Sequence, residues 1–159
     1  MPAQMILDLS TVDLGRIEMD IDAIRDINRQ RHEMEQLTRV IHIDRDQKII
    51  LGAKDVTDAE FWVRGHIPGR PLMPGVIMIE CAAQLSSLAF RLFSDVEDDR
   101  FVGFGGVTDV KFRGAVTPPS VFYVIAKARE MRRRRAIFDT QGVVDGKLVY
   151  EGTIIGMPI

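Results

Sequence analysis

The sequence predicts an α+β domain in which an antiparallel sheet wraps one long buried helix. Three observations carry that expectation: the apolar stretch Val76–Phe93, a succession of strand-like runs after it, and a hairpin signal at Asp145-Gly146. At 159 residues the chain is long enough for one full core. Its 46% hydrophobic and 28% charged composition is that of an ordinary globular protein, and a formal net charge of −2 gives no general reason to bind nucleic acid or an anionic membrane.

Residues 1–19 show little periodicity and read as a peripheral N-terminal extension, with the folded domain spanning 20–159. Ile21, Ile24 and Ile27 begin a helical pattern, with Asp20 or Asp22 available to cap it. Thr38–Ile43 and Lys48–Lys54 read as strands joined across Asp44-Arg45-Asp46, and Asp58–Val63 as a short helical turn. Pro68, Pro71 and Pro74 then recur every third residue, so regular structure is not expected before Gly75. The helix Val76–Phe93 approaches the length of a membrane span, but Glu80, Gln84 and Arg91 interrupt it; it reads as a core helix, not a span. An acidic turn, Asp95–Asp99, precedes the strand-like runs Phe101–Thr108, Val110–Val116, Val121–Met131 and Ala136–Val144. Lys147–Gly156 closes the set as a last strand. The N-terminus lacks a basic region followed by an apolar block, so the cytoplasm is the expected compartment. Cys81, the one cysteine, sits in the apolar run and reads as a buried thiol.

Chemistry concentrates in one region. Glu80, Gln84, Ser87 and Arg91 follow a spacing of four, three and four, which places them in one stripe on an otherwise apolar helix. Such a stripe ordinarily meets water; the alternative is that its carboxylate lines a pocket. His66 lies fourteen positions before Glu80 in a loop of glycine and proline, and imidazole titrates near neutrality, which suits proton transfer. Gly75 opens the helix, where the first amides have no internal partner and face the positive end of the helix dipole. A carbonyl oxygen docked there would be polarised. No cysteine/histidine cluster or nucleotide-binding glycine motif is present, so neither a metal nor another cofactor is expected.

The string from Gly65-His66-Ile67-Pro68 through Pro71-Leu72-Met73-Pro74-Gly75 to Glu80 and Gln84 resembles the active-site segment of bacterial β-hydroxyacyl-[acyl carrier protein] dehydratases. That family reads Gly-His-Phe-Pro, then Pro-x-x-Pro-Gly, then an acidic residue four to five positions on. The resemblance extends, more thinly, over residues 20–157. It includes Phe104-Gly105-Gly106-Val107, Val110-Lys111-Phe112-Arg113 and Val144-Asp145-Gly146-Lys147-Leu148-Val149.

The resemblance implies a hot-dog fold and the conversion of 3-hydroxyacyl thioesters to trans-2-enoyl thioesters, on acyl carrier protein or CoA, in fatty-acid or related lipid synthesis. It makes His66 the base toward the α-carbon and Glu80 the donor to the departing hydroxyl. The Gly75 amide would hold the thioester carbonyl and Gln84 would orient the carboxylate. Val76, Ile79 and Ala83 would line an acyl tunnel. Glutamate at position 80 resembles the branch that dehydrates without isomerising the double bond. The histidine and acid of one site would come from two subunits of a homodimer, alone or within a trimer of dimers. For an acidic carrier, Arg64, Arg70 and the run Arg132-Arg133-Arg134-Arg135 are docking candidates, although a run of arginines on a strand equally suits a solvated edge. Ile67 stands in place of the family's phenylalanine, Arg31–Arg39 lacks its apolar character, and Thr117-Pro118-Pro119-Ser120 replaces a Pro-Gly-Asp turn. These departures mark a divergent member. The rival readings are a hot-dog thioesterase and a non-catalytic acyl-thioester binding protein.

Overall fold

In a computed structural model that describes residues 3–95 and 101–159, six strands pair antiparallel in the order β1-β2-β4-β5-β6-β3. They are β1 (Arg39–Asp44), β2 (Ile49–Val56), β3 (Val102–Phe112), β4 (Ser120–Met131), β5 (Ala136–Val144) and β6 (Lys147–Pro158), with helices α1 (Ile21–Arg25) and α2 (Gly75–Phe93). This is the expected α+β hot-dog arrangement, a sheet closed on one long helix.

Helix α2 starts where the proline series ends. Pro74 is its N-cap residue, and its buried side chains include Met78, Cys81, Leu85, Leu88, Ala89 and Phe90. These meet Ile50, Val56, Phe122, Val124, Phe138 and Tyr150 from the sheet in the main core. Each fully buried leucine or phenylalanine there contributes about 1.5–3 kcal/mol. The helix is long and apolar enough to cross a membrane, yet its apolar residues are spent on this core. At its C-terminal end Arg45, from the β1–β2 turn, donates to the Leu92 carbonyl at 2.7 Å, a cation on the negative end of the dipole.

Strand β2 is buried at seven of its eight positions, on both faces. Its inward residues meet α2. Its outward residues Ile49, Leu51 and Ala53, with Ile41, Ile125 and Val143, are covered by Ile6, Leu7, Leu9, Val12 and Leu14 of the N-terminal arm. Gln141 fastens the arm, accepting from the Ile6 amide at 2.8 Å and donating to the Gln4 carbonyl at 2.9 Å. Helix α1 is capped by Asp20, whose carboxylate accepts from the Ala23 amide.

One boundary differs from expectation. The runs Phe101–Thr108 and Val110–Val116 are one strand, β3, ending at Phe112. Its pairing with β6 shifts register between Thr108 and Lys111, where Asp109 takes φ 54°: a bulge rather than a turn. The expected runs Val121–Met131 and Ala136–Val144 match β4 and β5 to within a residue, and the four arginines 132–135 lie in the turn between them, closed by mutual Arg132 and Arg135 backbone hydrogen bonds. The β5–β6 turn has Asp145 at φ 50° and Gly146 at φ 74°, the left-handed pair a tight hairpin requires. The acidic turn read at Asp95–Asp99 falls, beyond Asp95, outside the described residues.

Candidate active site

His66 belongs to the irregular segment between β2 and α2. Trp62, 3% exposed, pins the segment's first half into the core, and the Trp62 carbonyl accepts from the His66 amide at 2.9 Å. Its second half is held by the Met73 amide, which donates to the Val116 carbonyl at 2.9 Å. Between these anchors residues 64–70 are exposed. The His66 ring turns back on its own loop, with Nδ1 2.8 Å from the Leu72 carbonyl oxygen. A carbonyl can only accept, so Nδ1 carries a hydrogen, and in the neutral ring Nε2 keeps its lone pair. The imidazole is thus set in the tautomer that can take a proton.

Glu80 is half-buried one turn inside α2. Gln84, only 3% exposed, donates from Nε2 to Glu80 Oε1 at 2.8 Å and to the Met34 carbonyl at 2.6 Å. Gln84 Oε1 accepts from the Gln36 amide at 3.0 Å, so this side chain's hydrogen-bonding capacity is largely committed. The Asn28 amide group donates to the Gln84 backbone carbonyl at 3.1 Å. At Gln84 the polar stripe is therefore not a solvated face: the segment 28–36 covers it. That segment is itself stitched, by Arg31 donating to the carbonyls of Arg25, Asn28 and Gln30 and by a two-pronged Arg25–Glu35 pair at 2.6 and 2.9 Å. The pair holds the Glu35 carboxyl below the usual glutamate range, the Arg25 hydrogen bond being the largest cause.

A cavity of about 290 Å³ opens beside Glu80, between Ala83, Gln84 and Ser87 on α2 and Phe104, Phe138 and Ile154 on the sheet. His66 of the same chain is not among its lining residues. Of the expected tunnel residues, Ala83 lines this cavity, Ile79 packs partly buried against the core, and Val76 is 69% exposed. The first helical residue, Gly75, lies under the Phe112 ring; a Cβ there would come within 2.6 Å of it. Pro74 supplies no side-chain cap, so the first amides of α2 are not claimed by a capping group. Cys81 is wholly buried, and burial pushes its thiol up to about 12.

Arg64, Arg70 and Arg132–Arg135 are all exposed. Arg132 and Arg135 pair with Glu130 at 2.5 and 3.0 Å. Sequence reasoning missed Asn28, Gln36 and Phe112. A glutamine amid apolar helix residues was the available hint that backbone groups would need to reach it.

The fold and these groups define a hot-dog protein that presents a histidine on a loop and a carboxylate inside its central helix. Comparison with known proteins assigns it further: the FabA-like domain family matches residues 28–153, and the chain belongs to that family. It is 32% identical over 136 residues to a Streptococcus gordonii protein, 3-hydroxyacyl-[acyl-carrier-protein] dehydratase FabZ, covering 86% of this chain and 95% of that one. The FabZ dehydratase of Desulfotalea psychrophila is 33% identical over 141 residues, covering 87% and 92%. The chain matches 29% of the length of the bifunctional enzyme LpxC/FabZ of Chlorobaculum tepidum, at 32% identity over 86% of its own length. Among solved structures, the dehydratase heterocomplex ApeI:P of Xenorhabdus doucetiae superposes with a TM-score of 0.68 at 17% identity, covering 86% of this chain and 90% of that one. A mutant thioesterase of Pseudomonas aeruginosa gives 0.60 at 19% identity, covering 76% and 81%. At such identities these two likenesses concern the fold.

Proposed function

We propose that this chain dehydrates 3-hydroxyacyl thioesters to trans-2-enoyl thioesters, with the substrate carried on acyl carrier protein or CoA in the cytoplasm. The observation that carries the reading is the His66–Leu72 hydrogen bond, which leaves Nε2 as a proton acceptor in a protein otherwise built like the FabZ dehydratases. His66 Nε2 takes the α-proton, and the electron pair passes into the thioester carbonyl, whose oxygen rests against the Gly75 amide. One such donor is worth about 2.7–4 kcal/mol of barrier. The pair then returns to form the α,β double bond as the C3–O bond breaks. Glu80 gives its proton to the leaving hydroxyl, which departs as water. Gln84 holds the Glu80 carboxyl in place. Proton transfer from His66 to Glu80 through solvent restores both groups.

Each site is formed by His66 of one protomer and Glu80 of the other in a homodimer. The edge strand β3 supports this: it is eleven residues long, has no strand on its outer side among the described residues, and carries Phe104 and Phe112 at 55% and 51% exposure. A long exposed edge carrying aromatic side chains is a template for pairing with a second copy. The exposed Arg64 and Arg70, beside His66, and the arginine-rich β4–β5 turn are the surfaces for an acidic carrier.

The test incubates the purified protein with 3-hydroxyacyl and enoyl thioesters while following enoyl absorbance and free thiol. Reversible dehydration, lost by a factor of about 10²–10⁴ in His66→Ala, supports the proposal. Thiol release that survives His66→Ala identifies a thioesterase, and binding without either product identifies a binding protein.

A further inference from the structure

Lys54 and Glu60 take no part in the chemistry described, yet they form a buried ion pair. Lys54 is 4% exposed near the C-terminal end of strand β2, its Nζ lies 3.0 Å from Glu60 Oε2, and the Glu60 side chain is 13% exposed. A pair of this kind is a poor source of stability, because removing two charges from water costs about as much as their attraction returns. Replacing both partners by apolar residues is often neutral or stabilising. Its location is more telling. Glu60 begins the turn that ends at His66: the Glu60 carbonyl accepts from the Val63 amide at 3.1 Å, and the Trp62 carbonyl accepts from the His66 amide at 2.9 Å. The Trp62 indole N–H has no partner among the described residues, so side-chain hydrogen bonding at Trp62 does not set the turn. Both charges act, in opposite senses, on the thiol of Cys81, the α2 residue after Glu80.

We propose that the Lys54–Glu60 pair is a positioning device for His66, tying the start of the base-bearing loop to β2 where that strand runs beside the acid-bearing helix. The proposal rests on the dehydratase reading for its kinetic consequences but not for its structural one. Lys54 and Glu60 do not touch substrate. They act by fixing where the turn from Glu60 to His66 leaves the sheet, leaving the exposed residues 64–70 only a short span in which to wander.

The decisive variant is Lys54→Met combined with Glu60→Leu, prepared as the intact dimer. It is expected to keep the parent's urea midpoint while kcat falls about tenfold or more with KM within about twofold, the pattern of a misplaced reacting group. Lys54→Arg, which preserves an ion pair, should recover most of the rate. In parallel, the ring resonances of His66 are read by nuclear magnetic resonance. The Nδ1–H signal bonded to Leu72 should be sharp in the parent and in Lys54→Arg, and broadened or shifted in the double variant. Should the double variant fail to fold, Glu60→Gln is read in the same two ways, with the same expected loss. A folded variant lacking the pair, with parental kcat and an unchanged His66 spectrum, overturns the proposal. Should the parent itself show no dehydration, the dehydratase reading fails, and the His66 spectrum alone decides the positioning role.

Discussion

Replacing Gln84 with methionine, a side chain of similar length without hydrogen-bonding groups, separates the polar work of this residue from its volume. Three contacts disappear together: the donations to Glu80 and to the Met34 carbonyl, and the acceptance from the Gln36 amide. Met34 is 51% exposed, so its carbonyl can take water instead and loses little. Gln36 is 3% exposed; its orphaned N–H costs about 1–3 kcal/mol. The lost bond to half-buried Glu80 adds about 0.5–1.5 kcal/mol, for a total of about 1.5–4.5 kcal/mol with no large cavity term. The same change frees the Glu80 carboxyl to leave its reactive position, so kcat should fall about 10–10²-fold. Urea unfolding followed by the fluorescence of Trp62, the single tryptophan, reads the first effect, and enoyl absorbance reads the second. A variant within about 0.5 kcal/mol and twofold of the parent would refute the view that Gln84 ties Glu80 to the covering segment.

Gly75→Ala should cost about 1–3 kcal/mol by forcing its methyl into the Phe112 ring, and adding Phe112→Ala should return much of that loss in a double-mutant cycle. Alkaline stability should be limited by two buried acids. Burial lifts the Tyr150 phenol to about 12 against an opposing Thr140 hydrogen bond, and lifts the Cys81 thiol to about 12. In the unfolded chain these groups ionise near ~10 and ~8.5, so the folded state retains protons the unfolded state has released. Stability is unaffected below the unfolded values and declines from about pH 8.5 to 12, by about 3 kcal/mol for Tyr150 alone. Urea midpoints flat from pH 8 to 11 would contradict this. Arg133→Ser with Arg134→Ser should raise KM for a carrier-protein substrate at low salt while leaving a CoA thioester unaffected, and the effect should fade as salt screens it. A carrier-substrate KM unchanged from the parent's at low salt would exclude a docking role for the β4–β5 turn.

Helix α2 was legible because a proline series, a glycine and a long apolar run mark its start and face together. The hairpin at Asp145-Gly146 was legible for a similarly local reason. The bulge in β3 was not: Asp109 between two apolar runs reads as a turn, and only pairing with β6 holds the strand continuous through a left-handed residue. Nor was the fate of the polar stripe, since what covers Gln84 is backbone of the segment 28–36, whose fold depends on Arg25, Arg31 and Glu35 meeting across a distance. The arginine run was left between two strand-like runs, Val121–Met131 and Ala136–Val144, and the structure places it there, in the β4–β5 turn. The candidates His66, Gly75 and Glu80 rest on their spacing and on the family resemblance. Lys54 and Glu60 were passed over, although a lysine within the run Ile49–Val56, otherwise almost wholly apolar or small, was a visible anomaly.

The central claim is that two protomers supply one reaction center, and a mixed-dimer experiment addresses it most directly. His66→Ala and Glu80→Gln proteins, each inactive alone, are unfolded together, refolded and assayed for enoyl thioester formation. Shared sites predict recovery to about one quarter of parental activity, since half the dimers are mixed and each mixed dimer holds one intact site of two. A mixture no more active than either variant, with mixed dimers shown to have formed, would contradict the account.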